Sequence, residues 1–356
     1  MVVERIKQIL NSNQELRTLV ERSILLARGA NPDKRTNPAQ SLEEWYVYLD
    51  SFRHRMPWES LSLGENASFF HRIDQCIGYF YFLLDQPLED LKNRGYWYPS
   101  LQYEPTITKW LTEYNKAWGE WLSSRDSWQD AYYQLALTDS RFELDTPRYE
   151  SPANWHSWND FFARRLRTPL IVPHKGLISP CDGVLMDMPI KTTSVVEVSD
   201  LLAGSAYQDV FVGGKAVHWV LDVFDYHRFH APCAGKVLEC RTIEGIHAGG
   251  GIIIWDAEQN RYRYDQLAAT GFQSLETRGV LIMDTPEYGR IALVAVGIQQ
   301  VSSVVWNDAI RVGTKIEQGQ ELGLFQFGGS DILMLFESGR AIPTENDKPM
   351  KAGERL

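Results

Sequence analysis

The chain has 356 residues, 44% of them apolar and 23% charged, so it is long enough for two domains and a sizeable core, and global disorder is not expected. Its formal net charge of −10 argues against nucleic acid as the main partner, since phosphate contacts need a basic surface. It argues less strongly against electrostatic docking on anionic membranes.

The first residues, "MVVERIKQILNSNQELRTLVERS", carry charges throughout and read as an amphipathic helix or helix pair rather than a signal peptide. The densest apolar run, residues 79–84, is far shorter than the roughly 20 residues that span a bilayer, so no transmembrane segment is expected. Residues 106–139 read as helical. Trp110, Tyr114, Trp118 and Trp121 recur at helical spacing, a stripe that reads as core before it reads as a ligand box. Residues 145–158, rich in Pro and small polar residues, read as a connector. Ser157, with Asp160 three residues on, marks a helix start. Nine of the twelve tryptophans precede residue 160.

Beyond residue 170 the texture changes. Short β-branched runs such as "AVHWVLDVF", "RIALVAVG" and "DILMLFE" alternate with glycine turns. The expected fold class is α+β: a helical N-terminal domain over 1–150, then a β-rich domain over 151–356. In the latter, residues 312–325, "VGTKIEQGQELGLF", resemble the hammerhead strands of lipoyl-like β-sandwich folds. A weak internal repeat relates Pro180-Cys181-Asp182-Gly183 to Pro232-Cys233-Ala234-Gly235.

Several residues could carry chemistry. His227 and His230 stand three apart in "DYHRFHAP". They would share a face on a helix and point to opposite sides on a strand, and they read equally as two structural histidines at a turn. Asp182 before Gly183 is by itself a turn signal, although a carboxylate there could orient a histidine. Ser330 follows Gly328-Gly329. Alone it marks a turn, and it becomes a nucleophile only with a positioned base. Cys76, Cys181, Cys233 and Cys240 form no C-x-x-C pair. Free thiols are expected, with neither a disulfide framework nor a metal site.

Four blocks in order resemble the phosphatidylserine decarboxylase family of pyruvoyl-dependent decarboxylases: "FFARRL" (161–166), "ISPCDG" (178–183), "DYHRFHAPCAGKV" (225–237) and "QGQELGLFQFGGSDILMLFE" (318–337). The resemblance implies a zymogen that cleaves itself between Gly329 and Ser330. Ser330 would become a self-generated pyruvoyl cofactor, with no pyridoxal phosphate and no metal. It implies His230 as base toward Ser330, Asp182 as the group orienting His230, and His227 as acid in the second reaction. Two departures stand out. The family's Gly-Ser-Thr is Gly329-Ser330-Asp331 here, and its Asn-Glu-Arg is Glu276-Thr277-Arg278. The helical first part resembles a soluble branch that includes an L-tryptophan decarboxylase. That favours decarboxylation of a free L-amino acid, plausibly aromatic, by a soluble cytoplasmic protein. The alternative substrate is phosphatidylserine, met peripherally at the membrane, and a second alternative is an unprocessed, non-catalytic binding module. The aromatic-rich helices could form an interface in a homo-oligomer.

Overall fold

The structure, a computed structural model, describes residues 1–170, 172, 175–186, 195–265, 271–340 and 348–356, without the side chains of 195–197 and 265. The chain folds as two compact units. One comprises Met1–Ser140 with Ile246–Ala269, and the other Arg141–Gly245 with Thr270–Leu356.

The α-helices of the first unit are α1 (Val2–Ser12), α2 (Gln14–Ala30), α3 (Leu42–Phe52), α4 (Phe69–Phe82), α5 (Pro105–Leu122) and α6 (Asp130–Leu137); α7 (Trp158–Phe162) and α8 (Val195–Leu202) belong to the second. The N-terminal helix pair forms as its charge pattern predicts, with Asn13 capping α2 by accepting from the Leu16 N–H. Trp110, Tyr114 and Trp118 are fully buried on α5, so these three of the four stripe residues are core, while Trp121 is half-buried. The helical reading of 106–139 is interrupted after Leu122. There the Ser123 and Ser124 hydroxyls donate to the carbonyls of Gly119 and Trp121, offering the backbone an alternative to the next turn. Ser157 starts α7 as predicted. Its hydroxyl accepts from the Asp160 N–H, and the Asp160 carboxylate accepts from the His156 N–H.

The strands run β1 (Gly183–Met186), β2 (Lys215–Leu221), β3 (Arg228–His230), β4 (Gly235–Ile243), β5 (Ile252–Asp256), β6 (Arg261–Asp265) and β7 (Thr277–Thr285). They continue as β8 (Gly289–Ile298), β9 (Val305–Trp306), β10 (Lys315–Ile316), β11 (Glu321–Leu324), β12 (Gly329–Phe336) and β13 (Lys348–Met350). The second unit is built on an antiparallel sheet in the order β10-β4-β7-β8-β12-β2-β1-β13, with a small sheet β3-β11-β9 beside it. The α+β expectation therefore holds. Strand β12 lies between β8 and β2 over its length, and Ile332–Phe336 are buried, which is why it reads as an unbroken apolar run.

The hairpin β5-β6 belongs to the helical unit, although the division at residue 150 assigns it to the second half. The Gln75 side chain holds it like an extra strand, accepting from the Tyr262 N–H at 2.6 Å and donating to the Tyr262 carbonyl at 2.8 Å. Asp85 accepts from the Ile253 N–H and the Ser100 hydroxyl.

Candidate active site

Ser330 is the second residue of β12, with its neighbours on both sides fixed by sheet register: Leu221 on β2 and Gly297 on β8. The turn before it needs glycine. Gly328 has φ +155°, and a Cβ there would sit 2.5 Å from the Ile298 carbonyl oxygen. Ser330 is buried, and its Oγ lies 3.4 Å from Nδ1 of His227. Nε2 of His227 is 3.0 Å from the Asp222 carbonyl oxygen, an acceptor only. The hydrogen therefore belongs on Nε2, and the Nδ1 lone pair faces the serine. Burial, helped by the Arg164 charge, pushes the His227 pKa down to about 3, so the ring is neutral at ordinary pH.

The "FFARRL" block braces this histidine. Phe162 stacks on the His227 ring with centroids 3.8 Å apart, and the Arg164 guanidinium donates to the carbonyls of Phe224 and Asp225. Arg228 in turn donates to the Ala163 carbonyl.

His230, expected beside Ser330, has both ring nitrogens engaged elsewhere. Nδ1 faces the Gly319 carbonyl at 2.9 Å, and Nε2 accepts from the Tyr226 hydroxyl at 3.1 Å. His230 and Tyr226 border a cleft of about 510 Å³ that Gln318–Glu321 also line. Asp182, expected to orient His230, is held instead by Arg148 at 2.7 Å, Lys351 at 3.2 Å and the Ala352 N–H at 3.0 Å. Burial raises the Asp182 pKa, but the charges of Arg148 and Lys351 outweigh it and hold the carboxyl below its usual range. Among the described residues no hydrogen bond joins Asp182 to either histidine. Its negative charge nevertheless acts to raise the pKa of both. Arg148 spans the gap by lying over the Tyr226 ring, 5.8 Å from its centroid.

Sequence reasoning thus missed Phe162, Arg148, Tyr226 and Lys351 as supporting residues. Phe162 and Tyr226 sit inside the quoted blocks and could have been weighed there, whereas Arg148 lies in the stretch read as a connector. No cluster of three or more metal-ligating side chains occurs among the described residues.

A family model described as phosphatidylserine decarboxylase matches residues 158–356, more than half of the chain. The chain belongs to the phosphatidylserine decarboxylase family, whose members are carboxy-lyases carrying a pyruvoyl group made from their own chain. It is similar to a phosphatidylserine decarboxylase proenzyme of Ruminiclostridium cellulolyticum, 30% identical over 212 residues, 55% of this chain and 65% of that protein. A Bordetella petrii protein of the same name is 28% identical over 243 residues, 58% of this chain and 79% of the relative. Phosphatidylserine decarboxylase proenzyme 3 of Schizosaccharomyces pombe is 28% identical over 242 residues, 60% of this chain but 23% of the relative. The chain therefore spans just under two thirds of the first of these relatives and about a quarter of the third.

The residues at Ser330 fit a group made from it. The serine has a glycine turn before it, a neutral histidine at its hydroxyl and a buried apolar strand behind it.

Proposed function

We propose that the chain is a proenzyme that cuts itself between Gly329 and Ser330 and, once processed, removes the carboxylate of phosphatidylserine. The observation that carries this reading is the approach of Ser330 Oγ to His227 Nδ1 directly after Gly328-Gly329. On this reading the roles differ from those the resemblance implied: the 3.4 Å approach supports His227 as the base, with His230 and Asp182 as supports.

His227 Nδ1 takes the hydroxyl proton, and Oγ attacks the Gly329 carbonyl carbon. The C–N bond to residue 330 breaks, its nitrogen takes up a proton, and an ester remains. Loss of the residue 330 Cα proton then breaks the Cβ–O bond and releases the Gly329 carboxylate. The dehydroalanine left behind takes up water and loses ammonia, which leaves a ketone at residue 330. The pyruvoyl group supplies an electron sink when carbon dioxide departs. His227 is the side chain positioned to hold the proton that the substrate carbon then takes up, and Phe162 shields its ring from water.

The names carried by the relatives support the lipid over the free amino acid. The test incubates the purified protein with phosphatidylserine vesicles and, separately, with a panel of L-amino acids, and measures carbon dioxide and amine. Carbon dioxide from vesicles alone is the expected outcome. Carbon dioxide from a free amino acid alone would overturn the lipid assignment.

A further inference from the structure

The loop after β8 doubles back against the bond to be cut. Val301 donates its N–H to the Phe327 carbonyl at 3.1 Å, and Ser303 Oγ accepts from the Gln326 N–H at 3.2 Å. Ser302 Oγ donates to the Gly297 carbonyl at 2.7 Å. Two loop residues take φ values that side chains rarely adopt, Gln299 at +64° and Ser302 at +44°. Glycine would take that backbone without steric cost, so a long amide at 299 stands there against local preference. Gln299 is buried, and it meets Gly329. A Cβ built on Gly329 would lie 3.3 Å from both Cδ and Oε1 of Gln299 and 3.2 Å from Cβ of Ile298. A Cβ is two bonds from its own residue's carbonyl carbon, which for Gly329 is the atom that Ser330 Oγ attacks.

We propose that the Gln299 side-chain amide is the hydrogen-bond donor that stabilises the Gly329 carbonyl oxygen while the chain cuts itself. Consecutive strand residues face opposite sides. Gln299 lies where a Gly329 side chain would point, so it stands across the strand from Ser330 Oγ and His227. Addition of Oγ to one side of a flat carbonyl bends the other substituents toward the opposite side. The oxygen therefore swings toward Gln299 as it gains charge. In that step the Oγ–C bond forms, one C=O electron pair moves onto the oxygen, and an N–H of Nε2 donates to it. The pair returns as the C–N bond to residue 330 breaks. Nε2 takes the place of Oε1 by a half-turn of the amide about its last bond, a broad and roughly two-fold torsion. A buried donor fixed where charge develops acts on the transition state more than on the resting peptide. The same contact gives residue 329 a reason to be glycine, since a side chain there would displace the amide.

The assignment rests on the self-processing reading but not on which substrate is used. Its test follows cutting of the full chain during cell-free synthesis, sampled over time by denaturing electrophoresis. Two variants remove the amide: Gln299→Gly, which suits the positive φ, and Gln299→Met, which keeps the side chain's length. Both are expected to cut about 100-fold more slowly than wild type, the scale of a lost oxyanion donor. Hydroxylamine at neutral pH cleaves an ester and spares a peptide, so it locates the step. It is expected to leave both variants slow, because the ester itself fails to form. A wild-type rate in Gln299→Gly would mean that only the turn matters, and it overturns the proposal. Rapid cutting of either variant once hydroxylamine is added also overturns it, because the block then lies after the ester. Melting temperatures of both variants on a Ser330→Ala background are expected to match Ser330→Ala alone. Slow cutting that tracks a lowered melting temperature in both counts against the proposal. A wild-type chain that stays whole refutes the processing reading itself.

Discussion

In the proposed self-cleavage the deciding residue is His227, because its tautomer and its burial act together. With its hydrogen on Nε2 toward Asp222 and its pKa near 3, it offers Ser330 a lone pair across the ordinary pH range. His227→Gln is expected to slow cleavage by about 100-fold or more, and His230→Gln by much less, read as the uncut fraction over time by denaturing electrophoresis. The low pKa also fixes a pH dependence. A histidine titrating at its usual 6.5 would lose its basicity below that value, whereas His227 stays neutral down to about 3. Cleavage rates at about pH 5.5 and about pH 7.5 should therefore agree as far as this group governs them. The same shift bears on stability with a definite sign. As pH falls from 6.5 toward 3 the unfolded chain gains a proton here that the folded chain does not, so stability is lost on the acid side. Ser330, His227, His230 and Asp182 could all be singled out from the sequence, because the glycine turn and the ordered blocks mark them. Which histidine meets the serine could not be. A spacing of three leaves the two side chains on one face or on two according to local backbone, and the chain takes a short strand only from Arg228.

Among the elements, strand β12 and helices α5 and α7 were legible because apolar runs, helical aromatic spacing and a capping serine are local signals. The hairpin β5-β6 lies in the half read as β-rich, and its place in the helical unit was not legible. What binds it there is side-chain to backbone bonding from Gln75 and Asp85, for which no local pattern exists. Replacing Gln75 with Leu leaves the Tyr262 N–H and carbonyl buried without that partner, so a loss of roughly 2–4 kcal/mol is expected for the two groups. Denaturant unfolding of the variant against wild type measures it. Asp85 has the opposite pH sign to His227. Burial raises its carboxyl to about 7, so between its usual 3.8 and about 7 the folded chain holds a proton that the unfolded chain has released. That contribution to stability falls as pH rises through this window, and Asp85→Asn should flatten the fall in melting temperature.

For the whole molecule, cleavage before Ser330 would leave fragment 330–356 joined to the rest without a covalent link. Its strand β12 is hydrogen bonded on both sides, β13 pairs with β1, and Lys351 and Ala352 bind Asp182. The two pieces should therefore migrate together under native conditions and separate only when denatured. Asp182 would then serve as a tie between the pieces as much as a catalytic support, and Asp182→Asn should loosen the C-terminal segment as well as slow cutting. Among the described residues no helix is long and apolar enough to cross a membrane. The central claim is that the chain makes its own reactive group at Ser330, and the intact mass of the denatured, purified protein tests it most directly. The account predicts two species, residues 1–329 and residues 330–356, the smaller one bearing a ketone in place of its terminal amine. A single uncut chain of 356 residues, or a break at any other bond, would contradict it.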